Sequence, residues 1–202
     1  MSTFQTIAWT MRIIVVAVPA MGLCFHLFRK AAGPAFTKYY LGAVVLMELL
    51  NMTLLKGHLY LFAVAPLLHA LFYLETQRTF LKLSRPALFF IRTVALIVAV
   101  GLFPFATSVE HFQAYSTLLF NAVILWIALY FLYYNLRSQK LYALPRLYFN
   151  YACLLFFSID LFMAISSNFL VNAPIQAVFT LWLVRFVSLL WYYYAVTRFA
   201  HG

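Results

Sequence analysis

Long apolar runs separated by short polar segments make up most of this chain. Each run is close to the ~20 residues that a helix needs to cross the ~30 Å hydrocarbon core of a bilayer. Lipid offers a bare backbone no hydrogen-bond partner, so every run is predicted to be helical. The predicted helices span residues 5–28, 39–57, 59–77, 87–107, 114–135, 148–170 and 175–197. The pattern therefore predicts an all-α polytopic membrane protein, with a single domain of seven transmembrane helices over residues 1–202.

The composition supports the same interpretation. Of the 202 residues, 66% are hydrophobic and 9% are charged, whereas a soluble domain has about 25% charged residues. The mean hydropathy is +0.94. Once the membrane spans are counted, too little chain is left for a second folded domain.

The basic residues predict how the helices are oriented. Ten Lys and Arg side chains fall on one side of the predicted membrane, and Lys56 falls on the other. The ten are Arg29, Lys30, Lys38, Arg78, Lys82, Arg85, Arg137, Lys140, Arg146 and Arg198. By the positive-inside rule the N-terminus is predicted outside and the C-terminus in the cytoplasm. The first run is followed at once by "RK", which predicts an anchored span rather than a cleaved signal peptide.

The formal net charge of +10 would also suit a nucleic-acid-binding protein. The basic residues, however, sit in short clusters between apolar runs, as loop charges at a membrane surface do. The sequence has no zinc finger, helix-turn-helix or Gly-rich phosphate loop. A lipid bilayer, and not a nucleic acid, is therefore the predicted partner of these charges.

Two of the four acidic residues are predicted to lie deep in the membrane. Glu48 is at the centre of the second run and Asp160 is one residue from the centre of the sixth. His69 and Arg185 are equally close to the centres of the third and seventh runs. One residue changes the depth by ~1.5 Å along a helix, so these four side chains are predicted at one depth. We call them the midplane cluster.

Ionisable groups at the membrane centre cost at least ~2.5 kcal/mol each on insertion scales, and they usually mark a functional site. Asn51 shares a helix face with Glu48, and Ser188 shares one with Arg185. The predicted ligand-binding or proton-relay residues are Glu48, Asn51, His69, Asp160, Arg185 and Ser188. Asn121 and Arg12 are further polar residues within runs, and they are not assigned to the site.

Two interpretations of the midplane cluster remain open. In the first, Asp160 pairs with Arg185 and Glu48 with His69, and the pairs only fix how helices pack. In the second, the cluster lines a polar cavity that binds a solute or relays protons. A hydrated cavity would favour the second interpretation, and a dry core with direct ion pairs would favour the first.

Several classes of membrane protein do not fit the sequence. The seventh run has no lysine that could hold retinal. The histidines are too scattered to supply the three protein ligands of a catalytic zinc, and no Ser, His and Asp arrangement is evident. Cys24 and Cys153 lie within apolar runs and are predicted to be buried free thiols. No catalytic residue, cofactor or metal is predicted, although a membrane enzyme remains a third alternative.

Two segments carry a family resemblance. "LPRLYFNYACLLFFSIDLFMAISSNFL" followed by "LWLVRFVSLLWYYYAVTRFA" resembles the C-terminal part of a family of short, uncharacterised seven-helix membrane proteins of Bacteroidota-type bacteria. "HLYLFAVAPLLHALFYLE" resembles the third helix of that family, where His69 stands in place of a common glutamate. The resemblance, mainly over residues 144–200, implies the bacterial cytoplasmic membrane and favours a sensory role.

The function expected first is a small sensory or ligand-binding membrane module. It would act through the midplane cluster on a signalling partner at its cytoplasmic loops. The alternative is a transporter of a small polar or anionic solute, coupled to protons. Helices one to three and five to seven would then form a repeat around the inverting fourth helix, as in some parallel-repeat transporters.

Overall fold

The structure, a computed structural model, is entirely helical over the residues that it describes. These are residues 3–28, 35–53, 60–78, 80–101, 109–138, 144–170 and 172–199. They form seven helices: α1 Thr3–Phe28, α2 Ala35–Thr53, α3 Tyr60–Gln77, α4 Arg85–Gly101, α5 Val109–Ser138, α6 Leu144–Leu170 and α7 Ile175–Phe199. Each helix overlaps one predicted run, which confirms the all-α class and the number of helices in this part of the chain.

Four of the described helices contain a stretch long and apolar enough to cross a membrane. These stretches are Trp9–Phe28, Ala114–Arg137, Leu144–Ser166 and Ile175–Arg198, in α1, α5, α6 and α7. Several large apolar side chains are also exposed on each described helix except α3, where Val64 is the exposed one among the described residues. A soluble protein rarely exposes apolar surface on this scale. The chain is therefore a membrane protein by the length and composition of its helices.

The helices group into two compact units. Unit 1 contains α1, α2, α7 and α6 up to Phe156, and unit 2 contains α3, α4, α5 and α6 from Phe157. In unit 1, α1 packs against α2 and α7. In unit 2, α3 packs against α5 and α4.

The interior of unit 1 is rich in aromatic rings and in close contacts between helices. Tyr192 is fully buried on α7, stacks on Phe156 at a centroid distance of 5.5 Å and lies 6.1 Å from Phe149. Its hydroxyl accepts a hydrogen bond of 3.0 Å from Tyr40 on α2. Part of the tyrosine cluster "WYYYAV" therefore packs in the interior of unit 1.

In unit 2, a short connection joins α3 to α4. The Leu83 backbone N–H donates to the Arg78 carbonyl at 3.1 Å, and Lys82 takes the left-handed conformation with a φ of 52°. The Ser84 hydroxyl accepts from the Ala87 N–H at 3.3 Å and so caps the start of α4. The ring of Phe80 contacts Phe131 on α5 at 4.8 Å. These contacts fix the end of α3 and the start of α4, and they hold the connection against α5.

Candidate functional site

A charged hydrogen bond joins α5 and α6 inside unit 2. The side-chain amide of Asn121 donates from Nδ2 to Oδ2 of Asp160 over 2.8 Å. Asn121 is fully buried, and Asp160 is partly buried. A hydrogen bond to an ionised group is stronger than one between neutral groups. The acid identified in the sequence therefore has a defined partner on a neighbouring helix.

The other end of the Asn121 amide has no such partner. Its Oδ1 atom is buried, and none of the described residues donates a hydrogen bond to it. Leaving a buried acceptor unsatisfied costs about 1–3 kcal/mol. A buried acceptor of this kind usually has a water, an ion or a ligand as its partner. The pair therefore offers an open acceptor next to a carboxylate.

His69 approaches the same face of α6 from α3. It is 6% exposed, and its ring meets Phe157 edge-on with a centroid distance of 5.7 Å. Phe157 and Asp160 are three residues apart on one helix and so share a face. His69 and Asn121 consequently contact α6 about one helical turn apart. Three helices of unit 2 bring an imidazole, an amide and a carboxylate to one region, which we call the α6 polar site.

The remaining predicted site residues belong to unit 1. The Arg185 guanidinium lies over the ring of Trp182 on its own helix, 5.5 Å from the centroid. Ser188 is buried, and its hydroxyl donates to the Arg185 carbonyl at 2.8 Å. Glu48 is half-buried on α2, and the side chain of Asn51 lies outside the described residues.

Of the six predicted site residues, His69 packs against the face of α6 that carries Asp160, and Ser188 bonds to the Arg185 carbonyl on α7. The proposed pairs Asp160–Arg185 and Glu48–His69 each join residues that are assigned to different units. Both pairs stay predictions. Asn121 is the member of the α6 polar site that the sequence analysis did not assign.

The signal that could have identified Asn121 is its polarity within the long apolar run of α5. The depth calculation considered ionisable groups alone, and Asn121 lies a few residues from the centre of its run. An asparagine in a membrane helix usually hydrogen-bonds to a neighbouring helix. The same reasoning that identified Asp160 therefore applies to its neutral partner.

An ion pair forms a second charged contact in unit 2. Arg92 on α4 donates to Oε2 of Glu75 on α3, and Arg78 lies 3.9 Å from the other carboxylate oxygen. The Glu75 side chain is 16% exposed. Glu75 therefore ties α3 to α4.

Among the described residues there is no group of three or more His, Cys, Asp or Glu side chains that could hold a metal ion. Cys24 and Cys153 are free thiols as predicted, and Cys153 is buried, but the predicted burial is wrong for Cys24, which is exposed on α1. The chemistry on which a proposal can rest is therefore hydrogen bonding and charge at the α6 polar site.

A comparison of the chain with protein families, curated proteins and solved structures finds no match. The resemblance to the seven-helix family of Bacteroidota-type bacteria therefore stays a prediction. Any functional conclusion has to come from the arrangement of the side chains.

Proposed function

We propose that all seven helices cross a bacterial cytoplasmic membrane, with the N-terminus outside and the C-terminus in the cytoplasm. The exposed apolar side chains on every described helix support seven spans. The placement of Lys and Arg in alternate connections supports the orientation. The shorter helices α2, α3 and α4 reach the required length when the apolar residues next to them in the sequence are counted.

Single-cysteine labelling tests this topology. Cysteine at Lys56 is expected to react with an impermeant maleimide added to intact cells, and cysteine at Arg137 is expected to react only after lysis. Both are placed in a background in which Cys24 and Cys153 are replaced by Ala. The reverse pattern would contradict the orientation. Equal labelling of both positions in intact cells would contradict an odd number of spans between them.

We further propose that the protein is a small ligand-binding module of the sensory kind and that the α6 polar site binds its ligand. The hydrogen bond from Asn121 to Asp160, with Oδ1 of Asn121 left open, carries this proposal. An ionised carboxylate and an amide oxygen are both acceptors. They suit a small ligand that donates hydrogen bonds, such as one that bears an ammonium group.

The site also suggests how binding would be transmitted. A ligand that bridges Asp160 and Asn121 touches α5 and α6 at once, and it stabilises the helix arrangement that holds the two side chains together. α5 ends in the basic segment "LRSQKLYALPR", which begins at Leu136 and is predicted to be cytoplasmic. A change in the packing of α5 and α6 would therefore reach the segment where we expect a signalling partner to bind.

A thermal-unfolding assay with two matched cations tests ligand binding. Methylammonium donates hydrogen bonds, whereas tetramethylammonium carries the same charge and donates none. At equal ionic strength, methylammonium is expected to raise the unfolding midpoint of the detergent-purified protein more than tetramethylammonium, because it binds the folded state alone. Asp160→Asn should abolish this difference. Ser158→Ala, at an exposed position two residues away on α6, should preserve it.

Two results would contradict the proposal. One is an equal effect of the two cations on the unmodified protein. The other is an undiminished preference for methylammonium in the Asp160→Asn variant, which would place the binding site elsewhere.

The second candidate function is transport coupled to protons, which the packing of His69 on Phe157 supports. An imidazole can accept and release a proton, and this one contacts α6 about one helical turn from Asp160. Uptake of labelled methylammonium into proteoliposomes separates the two functions. A pH-gradient-driven flux that His69→Gln removes would indicate transport, and binding without flux would indicate a sensor.

A further inference from the structure

A groove opens in unit 1 where α6 begins and α7 ends. It has a volume of about 520 Å³, within the range of ligand-binding pockets in general. Its lining residues are Leu144, Pro145, Leu147, Tyr148, Tyr151, Tyr194 and Arg198. Leu144 is the first residue of one candidate membrane span, and Arg198 is the last residue of another. The groove therefore lies where two spans meet the surface of the bilayer.

One edge of the groove consists of hydrogen-bond donors. Tyr148 accepts from the indole N–H of Trp191, and Tyr194 accepts from Nε of Arg198 at 2.9 Å. Each hydroxyl oxygen already accepts a hydrogen bond, so the hydroxyl's own proton is available to donate to another acceptor. The described residues provide no acceptor for these two hydroxyl protons or for the terminal nitrogens of Arg198.

The side chain of Arg198 is held by contacts with Tyr194. Its guanidinium lies over the Tyr194 ring, 5.7 Å from the centroid, while Nε donates to the hydroxyl of that residue. Tyr148 in turn packs edge-on against Trp191 and Tyr194, at 5.6 Å and 6.3 Å. These aromatic contacts fix the directions of the donors. A phosphate group, whose oxygens are all acceptors, matches a planar guanidinium flanked by hydroxyl donors.

The other edge of the groove is apolar. Leu144, Pro145 and Leu147 belong to the first turn of α6, and Leu144 is highly exposed. This turn has no acidic residue that would repel an anion. An apolar wall beside a phosphate-binding edge, at the surface of a bilayer, fits a molecule that has both an acyl chain and an anionic headgroup.

We infer that this groove binds an anionic phospholipid, with the phosphate at Arg198, Tyr148 and Tyr194 and the acyl chains running toward the bilayer centre along the exposed Tyr151 and Leu155 of α6. The net charge of +10 favours anionic lipid around the whole protein. The groove adds a fixed position for a single lipid. This inference needs only that α6 and α7 span the membrane, and it is independent of any ligand at the α6 polar site.

Lipid retention measured by native mass spectrometry tests the inference. The full-length protein is released from micelles that contain equal amounts of phosphatidylglycerol and phosphatidylcholine, and bound lipids are counted. We expect one tightly retained phosphatidylglycerol. Arg198→Gln should reduce its retention about tenfold, the effect of losing one charge-assisted hydrogen bond. Arg198→Lys keeps the charge and should retain the preference for phosphatidylglycerol over phosphatidylcholine.

Arg137→Gln is a matched control. Arg137 also lies in the last turn of a long helix and also bonds a tyrosine four residues earlier, Tyr133, at 3.2 Å. It does not line the groove. The Arg137→Gln variant should therefore keep the retained lipid. An equal loss in both variants would overturn the inference, since it would show a general effect of surface charge.

Two further results distinguish the source of the phosphate group. Equal retention of phosphatidylcholine would overturn the requirement for an anionic headgroup. Competition by soluble glycerol 3-phosphate as effective as that by phosphatidylglycerol would show that the acyl chains contribute nothing, and it would overturn the assignment to a lipid. The thermal midpoint of each variant is measured in the same micelles. If Arg198→Gln is unfolded, the loss must instead be reproduced by Tyr148→Phe combined with Tyr194→Phe, and unchanged retention there overturns the inference.

Discussion

Two hydrogen bonds between helices, one in each unit, differ in the charge of the groups that they join and in the cost of burying those groups. In unit 1 the Tyr40 hydroxyl donates to the Tyr192 hydroxyl, and both residues are buried. In unit 2 the Asn121 amide donates to the Asp160 carboxylate. The first contact is between neutral groups, whereas the second brings an ionisable group into the protein interior. Burying a charge costs far more than burying a hydroxyl, unless the charge is well partnered.

The surroundings of the two contacts also differ, because one is enclosed by aromatic rings and the other includes an acceptor without a partner among the described residues. Tyr192 is enclosed by aromatic rings, including that of Phe156. Asn121 keeps a buried Oδ1 that no described residue partners. Tight packing of helices that carry tyrosines explains the first contact, because a buried tyrosine hydroxyl usually finds a hydrogen-bond partner. A carboxylate beside an open acceptor has no comparable explanation in packing, and this difference is why we assign the ligand to unit 2.

The largest expected effect comes from Asn121→Leu in unit 2, and Tyr40→Phe is the matching change in unit 1. Asn121→Leu is expected to lower the free energy of unfolding by about 1.5–3 kcal/mol, because Asp160 loses a hydrogen bond to a charged group. Tyr40→Phe should cost about 0.6 kcal/mol, the average for hydrogen bonds between membrane helices. Both variants are unfolded by adding sodium dodecyl sulfate to the protein in mixed micelles. The free energy of unfolding is measured from the loss of far-ultraviolet circular dichroism.

The same two variants can contradict the difference that we draw between the two contacts. If Oδ1 of Asn121 faces a dry interior in the working protein, leucine removes an unsatisfied acceptor and the loss becomes small or changes sign. A value for Asn121→Leu at or below that for Tyr40→Phe would therefore mean that both contacts are packing features. The assignment of a ligand site to unit 2 would then lose its support.

The helices could be predicted from the sequence because membrane spans have a fixed length and a strongly apolar composition. Their ends could not be predicted as well. α2 begins at Ala35 and α5 at Val109, each a few residues before the corresponding apolar run. Hydropathy detects the part of a helix that is immersed in lipid, whereas the helix continues through polar turns as long as its backbone hydrogen bonds are satisfied.

The α6 polar site could be predicted in part for a similar reason. Position along a span gives the depth of Asp160 and His69, and both depths follow from counting residues. Depth is one coordinate of three. The partner of Asp160 depends on which helix lies beside α6 and how far that helix is rotated, and an apolar run seen in isolation specifies neither. Asn121 therefore emerges as the partner only when α5 is placed against α6.

The stability of unit 1 should depend more on close packing than on its polar contacts, in contrast to unit 2. A side chain at Gly22 on α1 would place its Cβ 2.6 Å from Oγ1 of Thr197 on α7. That hydroxyl is itself bonded to the Tyr193 carbonyl at 3.0 Å, so it cannot move without breaking a contact. Gly22→Ala is therefore expected to cost about 1–3 kcal/mol, the usual effect of overpacking.

Gly42 on α2 provides the control, because nothing lies within 4 Å of the Cβ that alanine would add there. Gly42→Ala should leave stability unchanged or raise it by about 0.5–1 kcal/mol, since alanine favours the helix over glycine. The same detergent titration measures both variants. Equal losses at the two glycines would mean that close packing of α1 on α7 does not hold unit 1 together. A loss confined to Gly22→Ala, beside a small loss in Tyr40→Phe, would show that unit 1 depends on fit rather than on polar contacts.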